Sequence, residues 1–205
     1  MGMFELQAGL LKTRVFDALR GLPTPSKVCR VCHRSGQTVK HLVAGCSAWF
    51  FTYYKERHDA ALRPLCWWLR HRYGLDESMR PWHAPVTPDP ISENEEIRIW
   101  WDVPVYTDVK LEHNRPVMRV WLKKRNKLFV VEMSTPYDEN VKARQEEKDE
   151  KYVPLAAELA SECRGAEVLR VTLVIGALGS VMGLELELDW KFARRPISPK
   201  AIFHC

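Results

Sequence analysis

The fold is decided by residues 116–152, which read PVMRVWLKKRNKLFVVEMSTPYDENVKARQEEKDEKY. Apolar residues dominate segments 116–122 and 127–133, and the polar turn KKRN joins them, so the pattern predicts a β-hairpin. Residues 138–163 carry acidic residues early and lysines later, which predicts a helix, with a break expected at Pro154. The segment therefore supplies two adjacent strands and the helix that follows them.

Two further strands complete the predicted fold. Residues 168–175 form an apolar, β-branched run suited to a buried strand. Apolar residues alternate upstream, at Ile97, Ile99, Trp101 and Val103. The order helix, strand, hairpin, helix, strand predicts an α/β protein with a mixed sheet flanked by helices. Acidic residues on the central strands would then face a lysine-bearing helix, a geometry suited to cleaving phosphate esters.

The composition is that of a globular protein. The chain has 205 residues, of which 46% are hydrophobic and 28% are charged, enough for one core and a small satellite module. No apolar run approaches the ~18 residues that span a bilayer, and no basic leader precedes an apolar segment. We therefore expect neither a membrane segment nor a secretory signal. The net charge of +5 favours an acidic partner such as nucleic acid.

Three of the six cysteines cluster with a histidine in the pattern Cys29-x2-Cys32-x8-His41-x4-Cys46. Zinc takes four such ligands in a tetrahedron, so the spacing predicts a structural zinc site, with His41 on a short helix over residues 39–44. Unrelated buried cysteines are the alternative, and His33 could replace His41 only with strain in the chelate. Four basic residues surround the cluster, either as phosphate contacts or as a solvated face: Lys27, Arg30, Arg34 and Lys40.

The pattern divides the chain into four parts. Residues 1–27 contain an amphipathic helix, expected over 4–19, and a linker; residues 28–47 are the zinc knuckle. Residues 48–190 form the α/β domain, and residues 191–205 are a tail without clear periodicity.

The triplet Arg57-His58-Asp59 lies inside the first predicted helix of the α/β domain, just after a run of aromatic residues. Neighbours on a helix point in different directions, so a catalytic triad is not expected. His58 is either a structural polar anchor or a residue that approaches DNA.

The ordered motifs of the chain resemble those of a known family. They are the Cys/His cluster, Arg57-His58-Asp59, Trp101-Asp102-x2-Val105-x-Thr107-Asp108, Asn114-Arg115-Pro116, EMSTPYDENV at 132–141, Lys148-x2-Lys151-Tyr152 and VIGALG at 174–179. This set resembles the C-terminal region of site-specific non-LTR retrotransposon polyproteins. In that region a CCHC knuckle follows the reverse transcriptase, and a restriction-like endonuclease of the PD-(D/E)xK type closes the chain.

The resemblance implies that residues 48–190 are a restriction-like endonuclease domain. In the family, an Asp that binds the catalytic metal follows the Asn-Arg-Pro unit, but here Val117 occupies that position. Glu132 matches the second acid, a ligand for Mg²⁺ or Mn²⁺, and Lys148 and Lys151 match the lysines of the following helix. Asp108, or Glu112 beside it, is the candidate to supply the missing carboxylate.

The resemblance also implies the partners. These are DNA and the reverse transcriptase of a full-length element, with the RNA of the element as a further candidate. The expected location is the nucleus, and no membrane is expected among the partners. Six basic residues are the predicted nucleic-acid contacts: Arg57, His58, Arg115, Lys123, Lys124 and Lys142.

Three functions follow. We favour an endonuclease domain that binds DNA but is catalytically impaired, because valine cannot ligate a metal ion. An active nuclease that nicks DNA for target-primed reverse transcription and a nucleic-acid-binding relic are the alternatives. Without the resemblance, Glu132 would be an ordinary charged residue, and Lys148 and Lys151 would belong to a salt-bridged helix surface.

Overall fold

Five strands form one mixed sheet in chain order, β1 to β5. The structure, a computed structural model, describes residues 6–8, 10–81, 83–163 and 165–180. The strands are β1 (Ile91–Glu93), β2 (Ile97–Trp101), β3 (Met118–Leu122), β4 (Lys127–Ser134) and β5 (Glu167–Val174). The predicted tail 191–205 and residues 181–190 of the predicted α/β domain lie outside the described residues.

The first four strands are antiparallel, and β5 runs parallel to β4. The predicted hairpin is β3–β4, which is closed by a short 3-10 turn and by Asn126 in the left-handed conformation at φ 50°. A parallel neighbour needs a long crossover. Two helices provide it, α3 (Val141–Lys151) and α4 (Val153–Glu162). The mixed α/β class is thus confirmed.

The helix predicted over 138–163 is two helices because Pro154, at the start of α4, has no N–H to continue the hydrogen bonds of α3. Within the helix predicted over 4–19, residues 6–7 are helical but residues 10–13 are not. A separate helix, α1 (Arg14–Leu19), begins where the Thr13 side chain accepts the Phe16 N–H.

The longest helix, α2 (Lys55–Arg72), follows a π-helical turn over Phe50–Tyr54. It continues through Pro64. No helix among the described residues combines the length and the apolar character needed to cross a membrane.

The sheet has a hydrophobic core on each face. Alternate side chains of β4, such as Phe129 and Met133, pack with leucines of α2 on one face. Leu128 and Val130 point to the other face, where they pack with Tyr152 and with Leu155 of α4. By the same alternation Glu132 lies on the second face, towards α3. The sheet thus places one carboxylate between β4 and a lysine-rich helix.

Candidate functional site

The Cys/His cluster is assembled as the sequence predicts. One ligand atom from each of Cys29, Cys32, His41 and Cys46 lies within 4.8 Å of the others, so the cluster could hold a metal ion. The closest pair is Cys32 Sγ and His41 Nε2, at 3.2 Å. Ligand atoms around one zinc are about 3.3–3.8 Å apart, given bonds of roughly 2.0–2.3 Å. The four residues therefore fit a tetrahedral ion after a small contraction.

A tight turn brings the first two cysteines together. The Cys29 N–H donates to Ser35 O at 2.7 Å, and the His33 N–H donates to Cys29 O at 3.0 Å. His33 has φ 56° and an exposed side chain, so it stays out of the cluster. The Val31 N–H donates to Cys29 Sγ at 3.4 Å.

The helix predicted over 39–44 begins at Val39 as expected, but it is π-helical over His41–Gly45, and the Thr38 hydroxyl before it accepts the His41 N–H at 3.0 Å. The backbone N–H of Arg34 lowers the pKa of Cys32 to about 6, with further help from Ser35 and His41. Burial raises the pKa of Cys46. A divalent ion would supply the charge that holds the buried sulfur as a thiolate.

Glu132 and Lys148 form a second site on the sheet. Glu132 is only 4% exposed, and its Oε1 accepts a hydrogen bond from Lys148 Nζ at 2.8 Å. Its second oxygen, Oε2, is buried and has no hydrogen-bond partner among the described residues. A buried carboxylate oxygen without a donor is unfavourable, so this atom is a position for a cation or a water molecule.

The register of the sheet places three positions in one row. Trp101 pairs with Met118, and Met118 pairs with Val131. Just beyond the ends of β2 and β3, the Asp102 N–H donates to Val117 O at 2.8 Å, while Glu132 follows Val131 within β4. Neighbouring strands lie about 4.8 Å apart, so the backbones of Asp102 and Glu132 are roughly 10 Å apart, with position 117 between them.

Asp102 is a candidate that the sequence analysis missed as a site residue. It has φ 52°, in the left-handed region, and its carboxylate forms an ion pair with Arg115, with Nε and Oδ1 2.9 Å apart. The motif around Trp101 contained it, but only the pairing of β2 with β3 reveals that it flanks position 117. Val117 itself is half-buried and packs against the α2 face of the core.

Two residues of the connection between β4 and β5, Lys151 and Tyr152, lie near Glu132. Burial lowers the pKa of Lys151, which is partly offset by the charge of Glu132. Burial also raises the pKa of Tyr152, and the charges of Glu132 and Asp102 raise it further. The Tyr152 hydroxyl donates to Arg115 O at 3.0 Å, which fixes the loop before β3 against the crossover.

Other predicted site residues lie elsewhere. Asp108 is exposed in the loop between β2 and β3 and makes no hydrogen bond or ion pair with Glu132. Lys123 and Lys124 lie at the β3–β4 turn, where Lys123 pairs with Glu93 at 2.6 Å and Lys124 pairs with Glu96. Five residues of β4 separate that turn from Glu132, a distance of about 17 Å. Lys142 is exposed on α3.

Arg57 and His58 contact the end of β4. Arg57 donates to Thr135 O at 3.2 Å, and His58 Nε2 lies 3.2 Å from Met133 O. His58 Nδ1 also lies 2.9 Å from Asp59 Oδ1, so these adjacent side chains do meet, although no nucleophile joins them to form a triad. The contacts are those of a polar anchor between α2 and the sheet.

No family model, curated protein or solved structure matches this chain in our comparisons. The function must therefore be argued from the two sites themselves.

Proposed function

We propose that this chain is a retrotransposon-derived restriction-like endonuclease domain that binds DNA, and that Val117 impairs its cleavage activity. One observation carries the proposal. Position 117, which the motif resemblance assigns to the first metal-binding Asp, directly precedes Met118, whose pairing partner Val131 directly precedes Glu132, and Glu132 is bonded to Lys148. The mixed sheet flanked by helices supports the restriction-like fold.

The side chains around Glu132 suit phosphodiester hydrolysis. A bound Mg²⁺ or Mn²⁺ would polarise the phosphate and activate water. Glu132 would hold the ion through Oε2, while Lys148 and Lys151 would balance the negative charge that develops on the phosphate. Val117 offers no oxygen, so one protein carboxylate in place of two would hold the ion. Weak metal binding is the expected defect.

We also propose zinc as the metal of the Cys/His cluster. Three sulfur ligands and one imidazole form a complete tetrahedral set without an open position, which is typical of structural rather than catalytic zinc. The module packs against α1, since the Arg14 side chain donates to Val28 O at 2.9 Å. Lys40 joins it to the α/β domain through an ion pair with Glu139 at 2.8 Å.

A plasmid-nicking assay with Mg²⁺ and Mn²⁺ tests the proposal. The variants are Val117→Asp and Val117→Asn, because asparagine has the size of aspartate without its charge. We expect only Val117→Asp to convert supercoiled plasmid to open circles, and we expect Glu132→Gln in the same chain to abolish that activity.

Metal binding gives a second, independent measurement. If Val117→Asp binds Mg²⁺ with a Kd of about 1 mM, ~10 mM Mg²⁺ should stabilise it by about 1.4 kcal/mol, or roughly 3–6 °C in Tm. The wild type and Val117→Asn should shift less. A folded Val117→Asp chain that neither nicks DNA nor responds to Mg²⁺ would show that the site assignment is wrong.

The position of the Asp102 carboxylate favours a second candidate function, that of an active nuclease. This carboxylate and that of Glu132 flank position 117, so the pair could hold the ion without an Asp there. In that case the wild type would nick DNA, and Asp102→Asn would abolish nicking. Asp108→Ala and Glu112→Ala serve as matched controls and should leave nicking unchanged. If either control abolishes it instead, that residue supplies the ligand.

A further inference from the structure

The positive charge of the chain is concentrated in one segment. Residues 18–55 contain six Lys or Arg and no Asp or Glu, although the whole chain has 31 basic and 26 acidic side chains. The other 167 residues therefore carry 25 basic and 26 acidic side chains, a net charge of −1. A divalent ion with three thiolates would add −1 to the segment and leave it at +5.

Three of the six basic side chains of this segment are available to bind an acidic partner. Lys27, Arg30 and Arg34 are exposed, and none of the three pairs with a carboxylate in the described part of the chain. The Cys/His cluster between them holds the backbone that carries these side chains. The segment thus presents a basic surface whose shape depends on the metal.

An aromatic surface adjoins the metal module. We use this name for Trp49, Phe50, Phe51, Tyr53 and Tyr54, which lie in and before the π-helical turn Phe50–Tyr54. Phe51 is 82% exposed and Tyr53 is 68% exposed, although large aromatic side chains are usually buried. The rings line an open groove of about 570 Å³ together with residues 42–47, which include the metal ligand Cys46.

The aromatic rings are held in fixed orientations. Phe50 stacks on Tyr54, with centroids 5.2 Å apart and planes 12° apart, and Phe51 stands edge-on to Phe50 at 89°. The Arg57 guanidinium lies 5.5 Å from the Tyr54 centroid. Such contacts preorganise the surface, so little rotamer entropy is lost when a flat ligand stacks on Phe51 or Tyr53.

Charge and shape together select one class of partner. Two copies of the chain would bring like-charged surfaces together, which opposes self-association through this face. A polyanion is attracted instead. The bases of a duplex are already stacked on one another, whereas the bases of a single strand can stack on exposed aromatic rings beside a basic groove that follows the backbone.

We propose that the aromatic surface and the basic metal module together bind single-stranded nucleic acid, with bases stacked on Phe51 and Tyr53 and phosphates on Lys27 and Arg34. This deepens the nucleic-acid-binding part of the proposed function and rests on it. It does not depend on Glu132 or on a catalytic metal.

The test is fluorescence anisotropy with a labelled single-stranded 20-nucleotide oligothymidylate, on the full chain, with zinc and without Mg²⁺. A duplex of the same length is the comparison probe. We expect Phe51→Ala and Tyr53→Ala each to weaken binding of the single strand by roughly five- to one-hundred-fold, since each removes one stacking surface. Phe51→Trp and Tyr53→Phe keep a ring and should bind as the wild type does.

The salt dependence separates stacking from charge. Each phosphate contact on a single strand contributes about 0.7 to the slope of log K against log salt. The double variant Lys27→Ala/Arg34→Ala should therefore lose about 1.4 from the slope. The alanine variants of Phe51 and Tyr53 should lose affinity with the slope unchanged.

Three results would overturn the proposal. The first is wild-type affinity in the double variant Phe51→Ala/Tyr53→Ala. The second is equal affinity for the duplex, with the same dependence on the aromatic rings. The third is a dimer, seen by sedimentation, that Phe51→Ala dissociates while oligonucleotide binding is unchanged. The nicking and Mg²⁺-binding measurements read out the nuclease site separately, so a failure of the nuclease assignment is distinguishable from a failure of this surface.

Discussion

Replacement of Lys148 by methionine tests the electrostatics of the carboxylate site directly. Methionine keeps most of the apolar stem of lysine but removes the ammonium group that bonds to Glu132. The pair is well shielded, because only 6% of the Glu132 side chain and 18% of the Lys148 side chain are exposed. At an effective dielectric constant of ~20, two charges ~4 Å apart attract by about 4 kcal/mol.

The expected loss is smaller than that attraction. Lys151 lies close enough for its pKa to respond to Glu132, so it would compensate part of the charge left behind. Removal of one partner from a buried pair is typically unfavourable by about 3–5 kcal/mol. We therefore expect Lys148→Met to lower the free energy of unfolding by about 2–4 kcal/mol at pH 7.

Urea denaturation with zinc present measures the effect. Lys142→Met is the matched control, because Lys142 is exposed on the same helix, α3, and should change stability by less than about 0.5 kcal/mol. Glu132→Gln removes the carboxylate, so the double variant Glu132→Gln/Lys148→Met should lose at least about 1.5 kcal/mol less than the sum of the single losses. A loss below about 0.5 kcal/mol for Lys148→Met, or additive single losses, would refute the reasoning that Glu132 depends on this lysine.

Two further predictions concern the metal module and an ion pair of α2. The purified chain should contain about one zinc per molecule; Cys32→Ser should lose it, whereas Cys66→Ser, at a buried cysteine outside the cluster, should retain it by atomic absorption. Asp76 bonds to Arg70 through both oxygens at 2.8 Å, and this bond lowers the pKa of Asp76. The pair therefore stabilises the fold above the unfolded pKa of about 3.9 and ceases to do so as the pH falls through the lower folded pKa. Asp76→Asn should cost about 2 kcal/mol at pH 7, and this cost should decrease progressively as the pH falls below about 3.9, measured by denaturation at pH 7 and at a series of acidic pH values.

The features that the sequence predicted correctly depend on residues close together in the chain. The four polar residues of the turn between β3 and β4 are sufficient to predict the hairpin. The spacing of the cysteines and the histidine likewise places four metal ligands within one small module. The break at Pro154 follows from a missing N–H group. In each case the physical cause lies within a few residues of its effect.

The features that it missed depend on pairing between distant strands. Asp102 flanks position 117 only because β2 pairs with β3 in one register, and a shift of one residue would turn its neighbours to the opposite face. The direction of β4 also places Lys123 and Lys124 at the end of the sheet away from Glu132, a separation that depends on the strand pairing. The π-helical turn at His41 has no local signal that we recognise.

The charge balance around position 117 links the two proposed activities. Among the described residues, Asp102 pairs there with Arg115, Glu132 pairs with Lys148, and Lys151 lies near both Glu132 and Glu147. Such a surface attracts a phosphodiester more readily than it recruits Mg²⁺, since both carboxylates already have cationic partners. A further carboxylate at position 117 would add one negative charge next to these pairs. Val117→Asp should therefore strengthen Mg²⁺ binding and weaken DNA binding in the absence of metal. Changes of opposite sign in these two affinities would support a DNA-binding site from which catalysis has been lost.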